Sequence, residues 1–134
     1  MRYLLLLLTT LAALPICAER ASAIDSAREL LSSCRELEKG REGAGAEILI
    51  PDSHDALVCW GYMQAMQDLS VLVDQQGRRI IGACPPEQTT SLQLIHSFLA
   101  YARSHAGELD GNAASVVIKA LQASFPCRQG SRRR

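Results

Sequence analysis

Apolar residues recur at intervals of three and four along four stretches of the chain, which is the spacing of one face of an α-helix. These stretches cover residues 26 to about 38, 53 to about 73, 90 to about 105 and 113 to about 124. The short connections between them favour antiparallel neighbours. The pattern therefore predicts an all-α fold, a small four-helix bundle.

Polar residues that cap helices stand where these stretches begin. Ser26 with Glu29, and Thr90 with Gln93, have the spacing of a capping box, in which each side chain bonds to the other residue's backbone N–H. Asn112 directly precedes the fourth stretch and is its expected N-cap. These signals fix the predicted starts of three helices.

The second predicted helix is apolar over much of its circumference, which is typical of a helix at the centre of a domain or in a dimer interface. Asp52 or Ser53 is its expected N-cap. Gly61 lies in its interior, where glycine costs up to about 1 kcal/mol relative to alanine, and close contact with another helix would explain it. The residues expected to face inward are Ala56, Cys59, Met63, Met66, Leu69, Leu72 and Val73.

Three of the connections have a distinctive composition. Residues 40–45 are rich in glycine, and the apolar run at residues 48–50 is expected to be a brief extended segment packed on the core. Residues 74–77 predict a turn. The loop at residues 106–112 is polar and joins the third helix to the fourth.

The N-terminal residues have the order of a secretory signal peptide. Arg2 supplies a positive charge, an apolar run of 13 residues follows, and small residues end at Ala23. As a helix this run would be roughly 20 Å long, which is short of a ~30 Å hydrocarbon core. We therefore expect residues 1–23 to be cleaved, with cleavage after Ala18 as the alternative. This leaves an exported domain over residues 24–127 and a basic, disordered tail over residues 128–134.

The charge of the predicted mature chain gives no electrostatic case for nucleic acid. The whole chain has 14 basic and 14 acidic residues, and removing Arg2, Glu19 and Arg20 leaves 12 and 13, so the balance is 12 − 13 = −1.

Four cysteines remain after the predicted cleavage: Cys34, Cys59, Cys84 and Cys127. An even number in a small exported chain indicates two disulfides. A zinc site is the alternative, but there is no C-x-x-C pair and no histidine at short ligand spacing to support it.

The order of the helices predicts how the cysteines pair. Cys34 lies near the end of the first helix and Cys59 near the start of the second, while Cys84 precedes the third and Cys127 follows the fourth. Antiparallel helices bring these ends together. We therefore predict the disulfides Cys34–Cys59 and Cys84–Cys127.

Catalytic residues are scarce in this sequence. The ordinary roles of capping and surface solvation explain His54, His96 and His105. A Cys–His hydrolase needs a free thiolate beside a base, and four paired cysteines would leave no thiol. The sequence therefore favours a protein that binds a partner over an enzyme, and it indicates no metal or cofactor.

Three segments stand out as an ordered set along the chain. They are Cys59-Trp-Gly-Tyr62-Met-Gln-Ala65-Met-Gln-Asp68, Cys84-Pro85-Pro86 followed by Thr90-Ser-Leu-Gln93-Leu94, and residues 113–127 with their Phe125-Pro126-Cys127 end. This set resembles the Rap/Tai family of immunity proteins. The similarity extends from about residue 30 to residue 127, and it is carried by the ordered set rather than by any one segment. Ala65 stands where the family usually has glycine, and Ala106 follows His105 where the family commonly has proline.

The resemblance implies a small helical protein of the Gram-negative periplasm, often a homodimer, without catalysis of its own. Such proteins protect the producer and its kin from peptidoglycan amidase effectors delivered by type VI secretion. They do so by inserting a segment into the papain-like Cys–His cleft of the amidase.

The loop between the third and fourth helices is the segment that we expect to enter such a cleft. It is polar, joins two helices and presents carboxylates that could form charge-assisted hydrogen bonds with a histidine or other donors of the partner. The predicted partner-binding residues are His105, Glu108, Leu109 and Asp110. An ordinary solvated loop is the alternative interpretation.

Other functions remain open from the sequence. A periplasmic acid-stress chaperone would also be exported, helical and disulfide-bonded, and a structural envelope protein would share the same features. Stability of a dimer at low pH would argue against the chaperone.

Overall fold

The computed structural model describes residues 24–39 and 50–127. The predicted signal peptide, the glycine-rich loop and the basic tail lie outside the described residues. So does the apolar run at residues 48–50, apart from Ile50, which is half-buried and packs against the core.

The described residues form four α-helices and no strand, so the predicted all-α fold class is confirmed. The helices are α1 (Ala27–Cys34), α2 (His54–Ser70), α3 (Ser91–Ser104) and α4 (Ala113–Ser124). A 3₁₀-helix, Arg35–Lys39, continues α1, which ends as an α-helix sooner than predicted. Each helix packs against the next, and α4 packs back against α1 to close the bundle.

Side-chain caps start the helices as the sequence predicts. Both capping boxes form, with the hydroxyl of Ser26 accepting from the backbone N–H of Glu29 and that of Thr90 accepting from Gln93. Ser53 caps α2, and Asn112 caps α4 by accepting from the N–H of Ser115.

The core lies where the inward faces of the four helices meet. The apolar periodicity predicts the buried faces of α3 and α4 correctly. The buried residues are Leu92, Ile95, Leu99 and Ala102 on α3 and Val117, Ala120 and Leu121 on α4. Phe98, which is fully buried, is the largest side chain of this core. The fully or almost fully buried members from the other helices include Leu30, Leu37, Ala56, Cys59, Met63 and Met66.

Both predicted disulfides are present. Cys34 bonds to Cys59 with a Cα–Cα distance of 5.0 Å, and Cys84 bonds to Cys127 with 4.9 Å. The first joins the end of α1 to α2. The second holds the segment after α4 against the segment before α3, where the N–H of Cys84 donates to the carbonyl oxygen of Phe125 at 2.8 Å.

The end of α2 differs from the prediction. The helix stops at Ser70 rather than near residue 73, and the hydroxyl of this buried serine donates to the carbonyl oxygen of Gln67. Leu69, Leu72 and Val73 were expected to face inward, but their exposed fractions are 42%, 47% and 52%.

A tight hairpin turn follows α2 and explains this exposure. The carboxylate of Asp74 accepts hydrogen bonds from the backbone of Gln76 and Arg78, and Gly77 has a positive φ of 74° that favours glycine. The turn reverses the chain, so that the N–H of Ile80 donates to the carbonyl oxygen of Leu72. The apolar residues beyond Ser70 are therefore on a surface hairpin and not on a core helix.

Among the described residues, none of the helices combines the length and the apolar character that crossing a membrane requires.

Candidate partner-binding surface

The connection between α3 and α4 is a compact turn tied to the start of α1. A short 3₁₀-helix, Ala106–Glu108, occupies its first half. The backbone N–H groups of Ala27 and Arg28 donate to the carbonyl oxygens of Gly111 and Leu109 at 2.9 and 2.8 Å. These bonds use donors that a helix start would otherwise leave without partners, and they hold the loop against α1.

His105 ends α3 and is exposed. Its ring stacks on the ring of Tyr101, with centroids 3.8 Å apart and an angle of 4° between the planes. Nδ1 lies 3.0 Å from the carbonyl oxygen of Tyr101 and 3.0 Å from the hydroxyl of Ser104. The imidazole is therefore held in one orientation, with its stacked face covered.

Glu108 is held by two partners on neighbouring helices. The ammonium group of Lys119 on α4 donates to Oε2 at 2.7 Å, and the hydroxyl of Tyr101 on α3 donates to Oε1 at 3.3 Å. The hydrogen bond from Lys119 lowers the pKa of Glu108, while burial raises the pKa of Tyr101. The carboxylate is ionised at neutral pH and points in a fixed direction.

Leu109 and Asp110 have opposite environments although they are adjacent. Leu109 is 5% exposed and belongs to the core, so it anchors the loop. Asp110 is exposed, and Arg28 Nε donates to its Oδ1 at 2.7 Å. This hydrogen bond lowers the pKa of Asp110, and its second oxygen, Oδ2, faces no donor in the described part of the chain.

Two glycines in the loop have different surroundings. A methyl group added at Gly111 would approach the carbonyl oxygen of Glu108 to 3.0 Å, whereas one added at Gly107 would meet nothing within 4 Å. The loop path at Gly111 thus depends on the absence of a side chain, which is consistent with one defined loop shape.

The outer side of α2 carries a second exposed surface. Leu57, Gly61, Ala65 and Leu69 follow one another at intervals of four residues, and all four are exposed. No atom lies within 4 Å of a methyl group added at Gly61. The close helix contact that we expected at Gly61 is therefore not made within the described part of the chain.

The four predicted partner-binding residues thus lie in one loop, but the sequence did not reveal the residues that hold them. Arg28, Tyr101 and Lys119 come from three helices, and their positions depend on how those helices pack. A basic residue in the first turn of α1 or midway along α4 is indistinguishable in sequence from an ordinary solvated side chain.

Groups for catalysis or metal binding do not come together in the described residues. All four described cysteines are in disulfides, and His54 and His96 are exposed on separate helices. No group of three or more potential metal ligands occurs within ranges 24–39 and 50–127.

The fold and this surface define a class: a small all-α protein, clamped by two disulfides, with a rigid acidic loop. The comparison with known families is specific. Residues 26–127 match the family model described as Rap1a immunity proteins, and because the match covers most of the chain, this protein belongs to that family of immunity proteins. Neither the curated proteins nor the solved structures contain a match.

Proposed function

We propose that this protein is exported to the periplasm, where it binds and inhibits a peptidoglycan amidase effector of a type VI secretion system. The observation that carries the proposal is the match of residues 26–127 to Rap1a immunity proteins. In this proposal the protein is itself not an enzyme, since its role is to occupy the catalytic cleft of its partner.

The cysteines and the N-terminal sequence support the compartment. Two disulfides persist in an oxidising environment such as the bacterial periplasm. The basic, apolar and small-residue order of residues 1–23 is that of a cleaved signal peptide. Peptidoglycan lies in the same compartment, so inhibitor and amidase would meet there.

The loop at residues 105–112 is the segment proposed to enter the papain-like Cys–His cleft. Asp110 supplies Oδ2 as an acceptor for a histidine or backbone donor of the amidase, and Glu108 supplies a second carboxylate at a fixed position. Leu109 is buried in the core, and it thereby fixes the position of the loop backbone that carries the two carboxylates. His105 flanks them with an exposed ring edge.

The test replaces the two carboxylates and leaves the anchor in place. Glu108→Gln combined with Asp110→Asn should weaken inhibition of the amidase by about tenfold or more, because charge-assisted hydrogen bonds are lost. Asp68→Asn combined with Glu87→Gln, at exposed positions outside the loop, is the matched control. The inhibition constant is measured with each purified, oxidised protein.

Leu109 is kept in this test because its replacement would open the core. Gly111→Ala provides an independent probe, since it displaces the loop without removing a charge, and Gly107→Ala is its control. Inhibition that is unchanged in the double carboxylate variant and in Gly111→Ala would refute insertion of this loop.

We further propose that the protein is a homodimer through the outer face of α2. Leu57, Gly61, Ala65 and Leu69 combine apolar side chains with two small residues, which permits close approach of two helices. The exposed Leu72 and Ile80 on the adjoining hairpin extend the apolar area, and large exposed apolar patches on small proteins mark interaction sites.

The mass of the protein in solution tests this face. Ala65→Arg should convert the dimer to a monomer by placing a charge and bulk at the helix contact, while Ala100→Arg on the exposed side of α3 should leave the dimer unchanged. Light scattering after size exclusion reports the mass. A dimer that survives Ala65→Arg would place the interface elsewhere.

A further inference from the structure

A groove of about 280 Å³ lies between α1 with its 3₁₀ extension and α3, directly beside the proposed inserting loop. Its floor is apolar and consists of Leu99, Ala102 and Leu109, with Leu31 as a half-buried wall. Leu109 thus lines this groove and also anchors the loop. A partner that covers Glu108 and Asp110 must therefore lie next to the groove.

The size and lining of the groove indicate what it can hold. Pockets for small-molecule ligands usually span about 300–1,000 Å³ and contain polar groups that converge on the ligand. Here the volume is just below that range, and the charged residues among the lining, Arg35, Glu38 and Arg103, are exposed. The groove suits one large apolar side chain of a protein partner better than a metabolite.

The charges at the rim of the groove indicate which charge the partner should carry beside its apolar side chain. Arg103 forms an ion pair with Glu38 on one side of the groove, so these two charges are balanced. Arg35, also at the rim, is exposed and has no acidic partner within 4.0 Å among the described residues. An adjoining carboxylate would be the complement to its guanidinium.

Arg35 is also well placed to act as a fixed contact. It follows Cys34, which is disulfide-bonded, and its backbone N–H donates to the carbonyl oxygen of Leu31. Its Cα is therefore anchored, and less backbone freedom is lost when the guanidinium binds.

We propose that this groove is a second docking site for the amidase effector, which would insert one large apolar side chain next to a carboxylate that pairs with Arg35. The inference rests on the proposed function and deepens it. The loop would block the amidase cleft, while the groove would hold an apolar and acidic segment on the rim of that cleft and so contribute to the choice of effector.

Two variants test the two proposed contacts separately. Arg35→Glu reverses the rim charge, and Ala106→Trp fills the groove from an exposed position at its edge. The matched controls are Arg35→Lys, which keeps the charge, and Ala100→Trp, which adds the same ring to an exposed alanine that does not line the groove. Thermal unfolding and thiol titration confirm that each variant is folded and oxidised.

Binding to the purified amidase is measured by calorimetry at low and high salt. We expect Arg35→Glu and Ala106→Trp each to weaken binding by about tenfold or more, and the effect of Arg35→Glu to shrink at high salt because its charge is exposed. Ala100→Trp should bind like the unaltered protein, and Arg35→Lys should lose much less affinity than Arg35→Glu.

The outcomes separate this inference from the proposed function. If the unaltered protein does not bind the amidase, the proposed function fails and the docking site fails with it. If the unaltered protein binds and both groove variants bind equally well, the docking site is refuted while the function stands. If the variants change the mass of the protein in solution but not its affinity for the amidase, the groove contacts a second copy and the assignment to the effector is wrong.

Discussion

Glu108 and Asp110 are surface carboxylates whose positions are set by partners from other helices. Their ion pairs with Lys119 and Arg28 are exposed, and exposed pairs contribute little to stability. What the pairs supply is orientation, because each carboxylate is held by a donor on a rigid helix. These two ion pairs therefore matter more for recognition of a partner than for the stability of the fold.

The pH dependence of stability tests the pair of Glu108 with Lys119. The pKa of Glu108 in the folded protein lies below its ordinary value of 4.5, so the pair contributes stability above that value and loses it as pH falls through the folded pKa. The difference in Tm between the unaltered protein and Glu108→Gln should be largest near neutral pH and should shrink in acid. Thermal unfolding followed by circular dichroism across this range measures it.

A matched control for this measurement is Glu87→Gln, since Glu87 is exposed and has no ion pair within the described ranges. The acid-dependent loss should be greater for Glu108→Gln than for this control. A Tm difference that grows as the pH is lowered would have the wrong sign and would contradict the ion pair.

At the scale of elements, the sequence predicts where the helices begin better than where they end. Capping residues mark the starts, whereas the ends must be inferred from the apolar pattern. All four N-caps lie at residues that the sequence indicated. The predicted end of α2 was wrong by about three residues, because an apolar run continues from the helix into the hairpin. A run of Val71, Leu72 and Val73 is equally compatible with a helix and with an extended strand.

The contribution of the N-cap of α3 to the free energy of unfolding can be measured. Thr90→Ala removes the oxygen that accepts from the backbone N–H of Gln93, and the loss of such a cap costs about 1 kcal/mol. Thr90→Ser keeps that oxygen and should retain most of the stability. Chemical denaturation of both variants measures the free energy of unfolding, and equal values for the two would show that the cap contributes nothing.

At the scale of the whole molecule, the two disulfides differ in their access to solvent. Cys34 and Cys59 are fully buried, whereas Cys84 and Cys127 are partly exposed. In the chain-entropy treatment the loops of 25 and 43 residues give about 3.5 and 4 kcal/mol of stabilisation. Both bonds are thus important to stability, but a reductant reaches them differently.

The order of reduction follows from this difference. Under native conditions a thiol reductant should open Cys84–Cys127 first, because the thiolate attacks a sulfur that it can reach without opening the core. Alkylation at successive times followed by peptide mass mapping identifies which cysteines are free. Early release of Cys34 and Cys59, before Cys84 and Cys127, would contradict the burial of the first bond.

The disulfide pairing was predictable from the sequence, whereas the surroundings of the proposed site were not. Pairing follows from helix order and from the short reach of a disulfide, both of which are visible along the chain. The donors to Glu108 and Asp110 come from Lys119 and Arg28, and no local pattern marks either residue. Their contacts with the loop depend on how α1 and α4 pack beside it.

The periodic apolar positions, the capping residues and the four cysteines were enough to determine a disulfide-bonded bundle of four helices, because each acts through local geometry or through the order of elements. The tertiary structure alone decided that Leu69, Leu72 and Val73 face solvent, that Leu109 is buried between the half-buried Glu108 and the exposed Asp110, and that a groove opens beside Arg35. These features depend on which surfaces the packed helices cover, and coverage is a property of residues distant in sequence.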